Sequence, residues 1–180
     1  MRRALRWSRP WGRVRSWLTI PLVLGGCDTT LEPVRLGRAA CSNVEVLGQK
    51  YEICETPLEH AAAEQDCRLH HAQLAALDSA EKDDAVAKEV FALVSSSNVW
   101  LGGTRDEDLV WSWSNGNVFW RGGRDGATEP AAFARWQAGE PNNSNSQTGE
   151  AEACLALTAE GADWNDRSCA LRLPYVCELD

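Results

Sequence analysis

Residues 140–169 collect the side chains best suited to chemistry. Glu140-Pro141-Asn142 is followed by Glu152 and then by Trp164-Asn165-Asp166, with Cys154 and Cys169 among and after them. Three carboxylates and two carboxamides, all oxygen donors, thus fall in one stretch. Hard cations such as Ca²⁺ take about six to eight oxygen ligands in flexible geometry. The stretch holds no His/Cys ligand set, which argues against zinc. Carboxylates accept hydrogen bonds and amide nitrogens donate them. A polyol could therefore touch the cation through hydroxyls that pair with the same side chains, and the chemistry expected here is Ca²⁺-dependent carbohydrate binding.

Catalysis is not expected. Glu140 and Glu152 could be cast as the acid and base of a glycosidase, but carboxylates that hold a cation are not free to move protons. The chain has no Gly-Xaa-Ser-Xaa-Gly elbow, no phosphate-binding Gly-rich loop and no His-Glu-Xaa-Xaa-His.

Residues 1–26 carry six Arg and no acid, and an apolar run too short to span a bilayer leads into Leu24-Gly25-Gly26-Cys27. This pattern predicts a secretory signal over 1–26. A Cys at such a boundary resembles a bacterial lipoprotein signal, with Cys27 lipidated and residues 27–40 as a tether. The chain would then be exported, as a cell-envelope lipoprotein or extracellular protein, touching membrane only through the lipid. Residues 1–26 hold six of the 18 basic residues and none of the 26 acids, so the remainder carries a net charge near −14. That balance opposes binding to nucleic acid and to anionic membrane surfaces and favours divalent cations. Removing Cys27 from the seven Cys leaves six, an even number suited to disulfides in an oxidising compartment. Residues 41–180 are long enough for one domain with a real core.

The elements that must position the acidic stretch divide into helices first and strands later, an α+β order. Residues 41–54 suggest a hairpin around Gly48. Thr56, Pro57 and Glu59 read as N-cap, first turn and capping box of a helix that presents Ala63 and Cys67 on one face. Residues 72–77 read as a short buried link. A second helix starts at Asp78 or Ser79 and buries Val86, Val90 and Val94. Residues 99–103, 109–113, 155–157, 163–164 and 175–177 read as strands, 114–117 as a turn, and 122–130 as an inserted loop. Trp100, Trp111, Trp113 and Trp164 are expected in the core, whereas Phe119 and Trp120 are candidates for contact with a second sugar ring. His60, His70 and His71 read as solvated helix-end residues, and residues 81–84 as a helix start with a solvated face.

These motifs together resemble the C-type lectin-like domain over residues 41–180. The resemblance rests on Trp136-Gln137-Ala138-Gly139-Glu140-Pro141-Asn142-Asn143, on Trp164-Asn165-Asp166 with Cys169 three residues on, on Trp100-Leu101-Gly102-Gly103, and on the two-helix segment 56–83. It implies an α+β fold of two helices, small antiparallel sheets and a long Ca²⁺-binding loop. It also implies disulfides Cys41–Cys54, Cys67–Cys177 and Cys154–Cys169. Glu140, Asn142, Glu152, Asn165 and Asp166 fall on the positions that hold both Ca²⁺ and sugar, Asp166 also through its backbone carbonyl, and Pro141 on a cis proline. Glu-Pro-Asn in the family goes with mannose-, fucose- and GlcNAc-type ligands, and Gln-Pro-Asp with galactose. Two features depart from the pattern. Residues 144–149 look like an insertion, which leaves Glu150 as a competitor to Glu152. Asp106, Glu107 and Asp108 lie near an auxiliary cation position, but Ala153 stands where many members have an acid. A protein-binding module on the same fold is the alternative function.

Overall fold

A ten-residue strand that runs past the expected helix start sets the frame. In this computed structural model, residues 40–144, 151–159 and 162–180 are described. The expected signal, Cys27, nearly all of the tether, Glu150 and most of the 144–149 insertion lie outside them. β1 (Cys41–Val46) pairs antiparallel with β2 (Gln49–Leu58) in a register that places Cys41 opposite Cys54. Leu47 and Gly48 close the hairpin, both with positive φ (53° and 80°), as a two-residue turn with left-handed central residues requires.

Thr56 and Pro57 do not start a helix. β2 continues through them to Leu58, which pairs with Leu173 and accepts a hydrogen bond from Trp100 Nε1 at 2.9 Å. Helix α1 (His60–Leu69) begins only after Glu59, which makes no side-chain cap. The His60 N–H is satisfied instead by the Cys169 carbonyl at 3.2 Å. Tertiary pairing thus overrides a local capping signal. β3 (Ala72–Leu74) follows, and helix α2 (Ala80–Leu93) starts as expected, with Ser79 Oγ accepting from Lys82 N at 3.2 Å.

The remaining strands are β4 (Asn98–Arg105), β5 (Val110–Trp113), β6 (Val118–Arg121), β7 (Ala127–Thr128), β8 (Cys154–Thr158), β9 (Trp164–Arg167) and β10 (Leu173–Leu179). They join in the order β1-β2-β10-β4-β5-β6-β7, with β3 on β10 and β8 lying between β4 and β9. The β10–β4 contact, Tyr175 opposite Trp100, is parallel, and the other strand pairs are antiparallel. Gly103 lets β8 approach β4, since a Cβ there would meet Leu155 Cδ2 at 2.7 Å. No helix among the described residues is long and apolar enough to cross a membrane.

The core has two parts. One packs Val86 and Val90 of α2 against Leu101, Leu155, Leu157, Trp111, Trp113, Phe119 and Trp164. The other surrounds the buried cysteines with Trp100 and Tyr175. All three expected disulfides are present. Cys67–Cys177 closes a separation of 110 residues, which a chain-entropy model values at roughly 4–5 kcal/mol. His60 is buried rather than solvated: Nε2–H donates to Leu101 O at 2.9 Å, and the ring lies edge-on to Trp100. Burial lowers its pKa and keeps it neutral. Phe119 is in the core, and Trp120 is half-buried with its indole N–H donating to Gly122 O and Gly123 O. Phe119 is therefore not presented to solvent as a sugar platform.

Candidate functional site

Residues 129–144, after β7, form a long excursion that must be held from beneath. A cluster of aromatic rings does so. Trp113 stacks on Phe119 at 4.5 Å and meets Trp164 edge-on at 5.3 Å, while Trp136 meets Trp111 at 4.8 Å and Trp164 at 6.0 Å. Edge-to-face and offset geometries of this kind are favoured by the ring quadrupoles. The backbone then locks the excursion to β9. Trp164 N donates to Arg135 O at 2.7 Å and Gln137 N to Trp164 O at 2.8 Å, a parallel bridge between Trp136 and Trp164.

Asp83 lies under this bridge. It was expected on a solvated helix face, but it is fully buried; its Oδ1 accepts from Trp164 Nε1 at 2.8 Å and its Oδ2 from Arg135 Nη1 at 2.7 Å. One carboxylate on α2 therefore grips both segments that carry the candidate ligands. Arg135 also reaches Asp84, as expected of a side chain at the surface. Burial pushes Asp83 up to about 6, against the lowering effects of Trp164 and Arg135.

Above the bridge, the Glu140–Pro141 peptide is cis. Asp166 is fully buried and binds back to the loop: its Oδ1 accepts from Asn142 N at 3.1 Å and its Oδ2 from Asn143 N at 2.7 Å. Asn165 Nδ2 donates to Gln137 Oε1 at 3.0 Å and to Glu140 Oε1 at 3.3 Å. Glu152 is only 3% exposed, and its N–H donates to Asn143 Oδ1 at 3.1 Å. Asn142 Oδ1 accepts from Ser144 N at 2.6 Å. The five residues singled out in the sequence, Glu140, Asn142, Glu152, Asn165 and Asp166, are thus brought into one hydrogen-bonded neighbourhood.

Asn143 and Arg105 join them, and neither was expected. Asn143 has a positive φ of 54° and its Oδ1 also accepts from Arg105 Nη2 at 2.7 Å, so it braces Glu152 from β4. The sequence signal was the second Asn of Pro-Asn-Asn, a residue type that tolerates left-handed backbone. Of the acids near the auxiliary position, Asp106 spends Oδ1 on Val110 N at 2.8 Å, in a turn role.

The electrostatics of the neighbourhood are those of crowded like charges. Burial, then interaction with Asp166 and then Glu152, pushes Glu140 up to about 7. Burial and the Asp166 charge raise Glu152 as well, with Arg167 opposing them. Two oxygens here are buried with no hydrogen-bond partner, Glu140 Oε2 and Asn165 Oδ1. Orphaned acceptors among crowded carboxylates lack positive charge rather than donors of their own kind, and a hard divalent cation supplies that. The donor set, all carboxylate and amide oxygen, fits Ca²⁺. The carboxylates of Glu140, Glu152 and Asp166 do not all bring an oxygen within 4.8 Å of one another. The tighter group of Cys41, Cys54 and Asp66 is no metal site, because its sulfurs are bonded to each other.

The grip of Asp83 has a measurable consequence. Asp83→Ala leaves the Trp164 indole N–H buried without an acceptor and is expected to cost about 1–3 kcal/mol in urea unfolding. Asp83→Asn keeps an acceptor oxygen and is expected to cost less. Because the native carboxyl holds its proton from its ordinary 3.8 up to about 6, the wild type loses stability as pH rises through that window. The Asn variant lacks this loss, so its stability relative to wild type improves between those pH values and is level above them. Equal costs for Ala and Asn, with no pH dependence, would contradict the assignment.

Comparison with known proteins agrees with this architecture. A family model described as the lectin C-type domain matches residues 56–179. Lectin subunit alpha of Sarcophaga peregrina is 32% identical over 143 residues, covering 73% of this chain and 44% of that one. Asialoglycoprotein receptor 2 of Mus musculus is 30% identical over 136 residues, covering 75% and 40%. The chain thus spans less than half the length of these two relatives. Among solved structures, the mouse scavenger receptor C-type lectin carbohydrate-recognition domain superposes with a TM-score of 0.60 at 23% identity, covering 78% of this chain and 95% of that one. With more than half of its residues inside the family match, the protein belongs to the lectin C-type domain family.

Proposed function

We propose that this domain binds sugars of the mannose, fucose and GlcNAc type through a Ca²⁺ held by Glu140, Asn142, Glu152, Asn165 and Asp166. The observation that carries the reading is the pair of orphaned buried oxygens, Glu140 Oε2 and Asn165 Oδ1, set among three carboxylates. When bound, the cation supplies direct coordination of two adjacent sugar hydroxyls. The side chains set the selectivity. Glu140 and Asn142 flank Pro141 and offer one acceptor and one donor, and Glu152, just before β8, with Asn165 on β9 offers the same pair. Two vicinal equatorial hydroxyls then each donate once and accept once. A small ligand on an open site gives weak single-site affinity, of order millimolar (~−4 kcal/mol), and clustering raises it through avidity.

Export with a lipid on Cys27 belongs to the same proposal, since a membrane-held array is one way to achieve such clustering. Labelling with a palmitate analogue in a bacterial host should mark the protein, and Cys27→Ser should abolish the label. A labelled Ser variant, or an unlabelled wild type, rejects the anchor.

The ligand set is tested by calorimetric Ca²⁺ titration. Glu152→Ala removes a charged, buried ligand and should weaken Ca²⁺ strongly, while Glu150→Ala should do much less. Equal losses, or none, would overturn the choice of Glu152. Selectivity is tested by Glu140→Gln with Asn142→Asp, which moves donor and acceptor to opposite ends of the pair. Binding to immobilised mannose with Ca²⁺ should fall by ~1–3 kcal/mol, the cost of buried groups left unpaired. Wild-type protein that holds Ca²⁺ yet ignores every sugar tested would favour a protein ligand.

A further inference from the structure

We propose that the open polar cavity beside Asn165, about 210 Å³ in volume and lined by Ser97, Asn98, Gln137, Thr158 and Arg167, is a subsite for a second sugar ring that carries a carboxylate or sulfate. The proposal deepens the sugar-binding reading above and rests on it.

Three observations carry it. The first is position. Gln137 forms a wall of the cavity and also accepts the Asn165 amide at 3.0 Å, so the cavity and the candidate sugar site share a side chain. Arg167 follows Asn165 by two residues on β9, which puts both side chains on one face of the strand, about 6.6 Å apart along it. A ring linked to a sugar at Asn165 is therefore led toward Arg167. The second is size. The cavity is smaller than the ~300–1,000 Å³ of pockets that enclose drug-sized ligands, which suits one polar ring.

The third is chemistry. Every lining side chain is polar, and the hydroxyls and amides of Ser97, Asn98, Gln137 and Thr158 suit sugar hydroxyls because each can donate and accept. Arg167 is the lone charge among them. Its Nε and Nη2 both donate to Asn98 Oδ1, at 3.3 and 3.2 Å, which fixes the guanidinium plane. Asn98 uses only part of the donor capacity of a guanidinium. None of the ion pairs among the described residues includes Arg167. A guanidinium held in place, with donors in hand and with Glu152 as a charge neighbour rather than a direct ion-pair partner, presents the planar fork that carboxylate and sulfate groups match. In a domain with a large excess of acids, such a cation is the feature that admits an acidic ring locally.

The experiment compares methyl mannoside, a mannosyl-mannose disaccharide and a mannosyl-glucuronate disaccharide, each titrated into the protein with Ca²⁺, alongside a titration of Ca²⁺ alone. The wild type should bind the uronate disaccharide about tenfold more tightly than the neutral one, and this preference should shrink at high salt as Arg167 is screened. Arg167→Gln should erase the preference. Ser97→Glu, at an exposed position that folding tolerates, should reverse it while leaving methyl mannoside within about twofold of wild type. Equal affinity for the two disaccharides, or a preference that survives both substitutions, overturns the subsite and leaves the primary reading intact. Protein that binds Ca²⁺ but none of the three sugars overturns both.

Discussion

The parallel bridge between Trp136 and Trp164 is the constraint on which the site depends. Glu140 and Asn142 come from a long excursion with little secondary structure, and Asn165 and Asp166 come from a strand. Loops on their own do not hold ligands to a fraction of an ångström, and rigid elements do. Two backbone hydrogen bonds and a stack of rings transfer the rigidity of β9 to the loop. Asp83 makes that transfer one-sided, because its two oxygens hold the side chains of both partners from a helix that the core has already fixed. A buried carboxylate is costly to desolvate, and the rise in its pKa records the cost. Its return is placement of the loop.

A second cost is visible one layer above. Glu140, Glu152 and Asp166 crowd together, and two acceptor oxygens go unpaired. Polar groups stranded in this way are rare in folded proteins and cluster where a ligand completes them. Asp166 escapes the strain by accepting two backbone N–H groups from the loop, so it ties the loop to β9 and remains available as a ligand through its other lone pairs. The same group is thereby a structural clasp and a candidate metal ligand.

Much of this was legible before the structure, and the parts that were not share a cause. The Ser79 cap and the apolar spacing of α2 are local signals, the cysteine pairs were implied by the family resemblance alone, and the structure contains each of them. The five acidic and amide residues were legible as a group because type and spacing agreed, and the fold does gather them. Asp83 was not, since Glu81-Lys82-Asp83-Asp84 has the composition of a solvated helix start. Its burial is decided by Trp164 and Arg135, 81 and 52 residues away. His60 was misread for the same reason, its acceptor being Leu101 on another element. The Thr56 capping box failed because β10 pairs with β2 and prolongs it. Phe119 was a candidate for sugar contact because the loop that follows is rich in turn residues, whereas the ring cluster buries it and leaves Trp120 half-buried.

On the proposed function, one cation joins the two halves of this site and sugar binds on it. A crystal structure grown with Ca²⁺ and methyl mannoside tests it most directly. An ion should be coordinated by Glu140, Asn142, Glu152, Asn165 and Asp166 at about 2.3–2.6 Å, with two vicinal hydroxyls of the sugar completing its shell. An ion held by Glu150 in place of Glu152, a sugar seated away from the ion, or no ion among these residues would contradict it.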